Sequence, residues 1–134
     1  MTEMECQVFF KEELRLLGNL VENSNRQMHK LEKRLWAGLR RLSEERDGYL
    51  RVWQERKSQR AEAWKVVGNS LQALREEVRA KQAEVERLHT ALMQETERAK
   101  NFQALKLQQL RKGRAATNQY EGPAPTSMRW NIQG

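Results

Sequence analysis

The chain has 134 residues, of which 32% are charged, and its 25 Lys and Arg against 18 Asp and Glu give a net charge of +7. Cys6 is the single cysteine. This excludes a disulfide framework within the chain, and we expect a reducing compartment, the cytoplasm or alternatively the nucleus. No run approaches the roughly 20 apolar residues that cross a bilayer and no basic stretch leads into an apolar run at the N-terminus, so we expect no membrane partner and no cleaved signal.

Residues spaced alternately four and three apart form a seam from Phe10 to Phe102. Such spacing places side chains on one stripe of an α-helix, which must pack against another helix. The sequence therefore predicts an all-α protein, an elongated coiled coil made of one long helix. The seam steps by four twice in succession at Leu35–Leu39 and Val67–Leu71, and such stutters locally unwind a supercoil.

Residues 1–25 are predicted to form an N-terminal amphipathic helical segment, because Phe9, Phe10, Leu14 and Leu17 give it a broad apolar face. The stretch 22–25 reads Glu-Asn-Ser-Asn. Asn and Ser compete with helical hydrogen bonds, so we expect a kink or a restart there.

Residues 26–112 are predicted to form the long coiled-coil region, with weak points at Gly38, Asp47-Gly48 and Gly68-Asn69. Two architectures fit. In the first, one helix is continuous over 3–112. In the alternative, an antiparallel two-helix hairpin turns at Gly68-Asn69 and joins the arms 26–67 and 71–112. The seam favours the continuous helix, because it resumes after Val67 with a helical step and no proline marks the turn.

The middle of the seam carries Arg46 and aromatic residues where a coiled-coil dimer prefers Leu or Ile. Trp, Tyr and Arg are the residue types enriched at interface anchors. We therefore predict a partner-binding surface formed by Tyr49, Trp53, Arg56, Arg60 and Trp64. The alternative is that the arginines stack on tryptophans of their own or a sister helix and only stabilise the coil.

The most regular part of the seam is predicted to be the dimerisation stretch. It consists of Leu71, Leu74, Val78, Val85, Leu88 and Leu92.

Residues 113–134 contain both prolines and little periodicity, and are predicted to be a disordered tail after a helix that ends at Gly113. The tail holds an apolar cluster, which predicts a short docking motif with Met128, Trp130 and Ile132 as binding residues. The alternative is a terminus without a function.

Catalytic chemistry is not indicated by the sequence. His29 and His89 lack a second ligand at metal-binding spacing, and Cys6 lies on an amphipathic helix, where a packing role is favoured over a nucleophile. We expect no enzyme, no metal and no cofactor.

The seam, the basic middle and the aromatic tail together favour a non-enzymatic structural adaptor. It would form a homo- or hetero-oligomer with helical partner proteins and dock on an acidic filament. The composition and periodicity resemble those of accessory proteins of cytoskeletal and ciliary assemblies, which implies the cytoskeleton or cilium as the setting. They also resemble coiled-coil components of chromosome structures, which implies nucleic-acid association as an alternative. Bacterial secretion chaperones and stalk proteins are similar in size and helicity and give a third alternative.

Overall fold

The structure, a computed structural model, describes residues 1–117, and within this range the chain is helical without strands. The helices are α1 (Glu3–Glu32), α2 (Leu39–Glu55), α3 (Lys57–Val67) and α4 (Gln72–Thr117). The predicted all-α class is confirmed. The predicted single continuous helix over 3–112 is wrong, because the chain is interrupted at 33–38, at Arg56 and at 68–71.

Helix α1 begins with a side-chain cap and does not kink at residues 22–25. The Thr2 hydroxyl accepts a hydrogen bond from the Glu5 backbone N–H, which satisfies one of the free donors of the first turn. Asn23, expected to weaken the helix, is buried, and its side-chain amide donates to the Leu42 carbonyl of α2 at 2.9 Å. The expected kink is therefore absent, since the polar side chain bonds a neighbouring helix rather than its own backbone.

The first turn of the chain, at residues 33–38, coincides with the stutter at Leu35–Leu39. Arg34 adopts a left-handed conformation with φ of 54°. The Arg34 and Leu35 N–H groups donate back to the carbonyls of Leu31 and Lys30, the pattern of a Schellman helix end. Gly38, with φ of 84°, then allows the left-handed step that leads into α2.

Helices α2 and α3 are separated by one residue, Arg56. The predicted weak point at Asp47-Gly48 stays helical within α2. The second turn is where the hairpin alternative placed it, because α3 ends at Val67, Gly68 has φ of 52°, and α4 begins at Gln72. Leu71, also left-handed at φ of 53°, shares this turn.

Helix α1 is the element against which the others pack, and two clusters fix the helix directions. One cluster joins Phe10 of α1 to Val67 of α3 and Val78 of α4. The other joins Leu31 of α1 to Leu39 of α2 and Leu92 of α4. Early α1 thus meets early α4, and late α1 meets later α4, so α4 runs parallel to α1 while α2 and α3 run antiparallel.

Helix α4 is longer than its neighbour, with 46 residues against 30 in α1. The guanidinium of Arg34 lies 3.8 Å from the centre of the Phe102 ring, near the end of α1. The helix continues past the predicted end at Gly113 to Thr117, because glycine is tolerated inside a helix at a cost of about 1 kcal/mol. We call residues 103–112 the projecting segment.

Candidate functional site

A buried carboxylate forms ion pairs with both arginines of the predicted partner-binding surface. Glu13 of α1 is fully buried. The Arg56 Nε donates to its Oε1 at 2.5 Å and the Arg60 Nε donates to its Oε2 at 2.8 Å. This network joins α1 to α3 and to the single residue between α2 and α3, since one carboxylate accepts from two guanidinium groups.

Aromatic rings complete this network. The Arg60 guanidinium lies 3.4 Å from the centre of the Trp53 ring, and that of Arg56 lies 4.3 Å from the centre of the Phe9 ring. Stacking of a guanidinium on an aromatic face is attractive, and more so when water is excluded. Stacking within the chain, the alternative weighed for these arginines, is therefore observed, and partner binding by them stays a prediction.

Tyr49 and Trp64 are partly buried against the core cluster that contains Phe9. The Tyr49 hydroxyl donates to the Glu45 carboxylate, and this hydrogen bond, with burial second, raises the pKa of Tyr49. The Trp64 ring packs 4.8 Å from the Phe10 ring, measured between centres. Its partly buried ring is also approached by Arg75 and Arg79 of α4. Met128, Trp130 and Ile132 lie outside the described residues.

The seam predicted for dimerisation packs inside the chain. Val78, Leu88 and Leu92 are buried, and Leu71, Leu74 and Val85 are partly buried against the same clusters. The stripe lies against a helix, as its spacing requires, but that helix is α1 of the same chain.

Arg46 is the largest fully buried side chain among the described residues, with 2% of its surface exposed. Its Nη2 contacts His89 Nδ1 on α4, while its Nε and Nη1 have no hydrogen-bond partner. Burial lowers the pKa of Arg46. Burial, and then the Arg46 charge, lower the pKa of His89. The contact therefore favours a neutral imidazole that accepts from the guanidinium.

The stability of the protein is expected to decrease on acidification because of His89. The unfolded histidine titrates near 6.5 and the folded one lower, so the unfolded state binds more protons below that pH. Its contribution is present above pH 6.5 and is lost as the pH falls towards the lowered pKa of the folded state. Thermal unfolding between pH 7.5 and 5 should show a steeper fall in Tm for the native chain than for His89→Gln. A Thr90→Gln control, at the exposed residue that follows His89 on α4, should keep the native slope, and equal slopes for all three proteins would contradict the expectation.

The projecting segment carries exposed apolar and basic side chains. Leu105 and Leu110 are 59% and 46% exposed, and Lys106, Arg111 and Lys112 are also exposed. The sequence has no acidic residue between Glu97 and Glu121. This part of α4 therefore presents an apolar and positively charged helix surface.

A broad groove of about 970 Å³ lies between α1 and α2. Its charged lining is partly neutralised within the groove, because Arg26 pairs with Glu22 at 2.6 Å and the Lys30 ammonium donates to the Ala37 carbonyl. The groove is lined by acidic, basic and apolar residues together, so its lining does not favour one class of ligand.

Cys6 is fully buried and burial raises the pKa of its thiol, as expected of a packing residue. Within residues 1–117, no group of three or more His, Cys, Asp or Glu side chains is placed to hold a metal ion. A search of the same residues finds no helix whose length and apolar character would let it cross a membrane.

Glu13 and Arg46 were not among the predicted site residues. A signal for Glu13 was available, because it stands between Phe10 and Leu17 on the apolar face of α1, and an acid there requires a cationic partner. Comparison with known proteins adds no identity, since no family model, curated protein or solved structure matches the chain.

Proposed function

We propose that this protein is a non-enzymatic helical adaptor whose projecting segment binds helical partner proteins through its exposed leucines. The observation that carries the proposal is the exposure of Leu105 and Leu110. Both lie on the part of α4 that extends past the end of α1, and α1 is the helix that covers the seam earlier in α4. Within residues 1–117 no element covers these leucines, and exposed apolar side chains on a helix are stabilised by packing against another helix.

Charge supports an acidic partner. Lys106, Arg111 and Lys112 are exposed around the leucines, without an acidic residue in the segment. Leu105 and Leu110 are five positions apart and therefore point about 140° apart around the helix. Acidic helices, including ones displayed on an acidic cytoskeletal or ciliary filament, would neutralise this charge and cover each leucine on its own side. The setting we propose is the cytoplasm.

The burial of two chemically reactive side chains supports a structural role rather than catalysis. The Glu13 carboxylate forms ion pairs with two arginines, and the Cys6 thiol is buried. Catalytic acids, bases and nucleophiles need access to a substrate in a cleft.

The test is affinity recovery of the tagged full chain from its native cells, with and without nuclease, at low and high salt, followed by mass spectrometry. The key variant is Leu105→Ser with Leu110→Ser. Its matched control is Val52→Ser with Met93→Ser, since both control residues are 44% exposed. We expect defined helical proteins that survive nuclease treatment and are lost from the Leu105/Leu110 variant alone.

Two outcomes would contradict the proposal. If both double variants recover the same proteins as the native chain, the projecting segment is not the binding surface. If the associations vanish with nuclease, the basic residues bind nucleic acid, and affinity should then fall steeply with salt.

A further inference from the structure

A small cavity at the turn between α3 and α4 has the composition of an anion site. Its volume is about 250 Å³, and it is lined by Asn69 of the turn and by four residues of α4, Gln72, Arg75, Glu76 and Arg79. We propose that this cavity binds a phosphate-type oxyanion between the two guanidinium groups. The site is separate from the projecting segment and does not depend on the adaptor proposal.

Two like charges face this cavity. Arg75 and Arg79 are one helical turn apart, and their guanidinium carbons lie 5.4 Å and 5.0 Å from the centre of the same Trp64 ring. Side chains at this spacing are neighbours, and like charges there repel. Among the ion pairs of the described residues, neither arginine has a carboxylate partner within 4.0 Å. An anion between them would remove the repulsion.

Arg75 also has an unmet hydrogen-bond donor. Its Nε is buried and has no acceptor, and a buried donor without an acceptor is destabilising. Because water does not reach this nitrogen, an anion in the cavity bonds it only after the Arg75 side chain turns towards the cavity, which the missing hydrogen bond favours. Both guanidinium groups lie against the Trp64 ring, which reduces the conformational freedom that a ligand would have to remove. Guanidinium groups bind phosphate oxygens through paired N–H bonds.

Glu76 is the opposing feature, because its carboxylate lines the same cavity. It accepts a hydrogen bond from the Gln72 side chain at 3.2 Å, so one of its oxygens is engaged by a neutral donor. Two guanidinium groups and one carboxylate line the cavity, together with the neutral residues Asn69 and Gln72, so its net charge is positive. The first turn of α4 also contains no acidic residue, which leaves the positive end of the helix dipole unopposed.

The experiment is a titration of the full chain followed by NMR of the Arg75 Nε–H and Trp64 indole N–H signals, at constant ionic strength with chloride as background. The probes are inorganic phosphate and the N-acetyl methylamide of phosphoserine. We expect saturable shifts, with tighter binding of phosphate indicating the free ion and tighter binding of the phosphoserine derivative indicating a phosphorylated side chain. Either result supports the site.

The variants decide whether the two arginines are responsible. Arg75→Gln and Arg79→Lys should each weaken binding by at least about tenfold, the second because lysine keeps the charge but loses the planar fork. The exposed residue Arg87 on the same helix is the control, and Arg87→Gln should change affinity by less than about twofold. Linear shifts without saturation, or equal affinity in the three variants, would overturn the proposal. Circular dichroism of Arg79→Lys checks that the loss of binding is not a loss of fold.

Discussion

Replacing Glu13 by alanine is expected to lower the free energy of unfolding by about 3–5 kcal/mol, the largest loss we predict for a single substitution. Glu13 is fully buried, and the side chains of Arg56 and Arg60 are only 22% and 13% exposed. Removing the carboxylate leaves two guanidinium groups largely out of water without a counter-charge, and also opens a cavity in α1. Urea denaturation, with the midpoint and slope fitted together, measures the change.

The control is the neighbouring acid. Glu12 pairs with Arg15 on the surface, where the two side chains are 49% and 70% exposed, and such pairs contribute less than about 1 kcal/mol. Glu12→Ala should therefore cost a small fraction of what Glu13→Ala costs. Equal losses in the two variants would mean that the Glu13 network does not hold α1 to α3 and to the residue between α2 and α3.

Replacing Arg46 by methionine is expected to raise the free energy of unfolding by about 1–3 kcal/mol. The guanidinium is buried, and two of its three nitrogens lack a hydrogen-bond partner. Methionine has a similar length and no charge to desolvate, and its flexible side chain adapts to an irregular space. Thermal and urea unfolding at pH 7.5 should both show the gain.

The control for this substitution is Arg41→Met, since Arg41 is exposed on the same helix and surface changes usually lie within about 0.5 kcal/mol. The gain at Arg46 should also make Tm less dependent on pH, because His89 would lose its cationic neighbour. A large loss of stability in Arg46→Met would show that the contact with His89 outweighs the cost of burying the charge.

Much of the fold follows from the seam and the glycines. The alternation of steps predicted helix through most of the chain, and the turn at Gly68-Asn69 was the alternative architecture. The first turn was not predicted as a turn, because its left-handed residue is Arg34 rather than glycine, and a non-glycine residue there carries no sequence signal. The stutter at Leu35–Leu39 coincides with this turn, but a stutter is equally compatible with a continuous helix whose supercoil straightens locally.

The candidate site was predicted by residue type but not by arrangement. Because Arg56 and Arg60 occupy seam positions, the sequence indicated an unusual environment for them. In the structure both pair with Glu13, which lies 43 and 47 residues earlier in the chain. Periodicity gives which face a residue occupies, not which helix that face meets. Asn23 shows the same limit, since it favours a helix end locally and is held inside α1 by the carbonyl of Leu42.

The most direct test of the account is the distance between spin labels on α1 and α4 of one chain. Arg15 and Ala83 are exposed at corresponding levels of these parallel helices, and cysteines can be placed there while Cys6 stays buried. In spin-diluted protein, the folded-back chain predicts a label distance below about 30 Å, since packed helices lie about 8–10 Å apart. A distance near 100 Å, expected at about 1.5 Å per residue of uninterrupted helix, would contradict it.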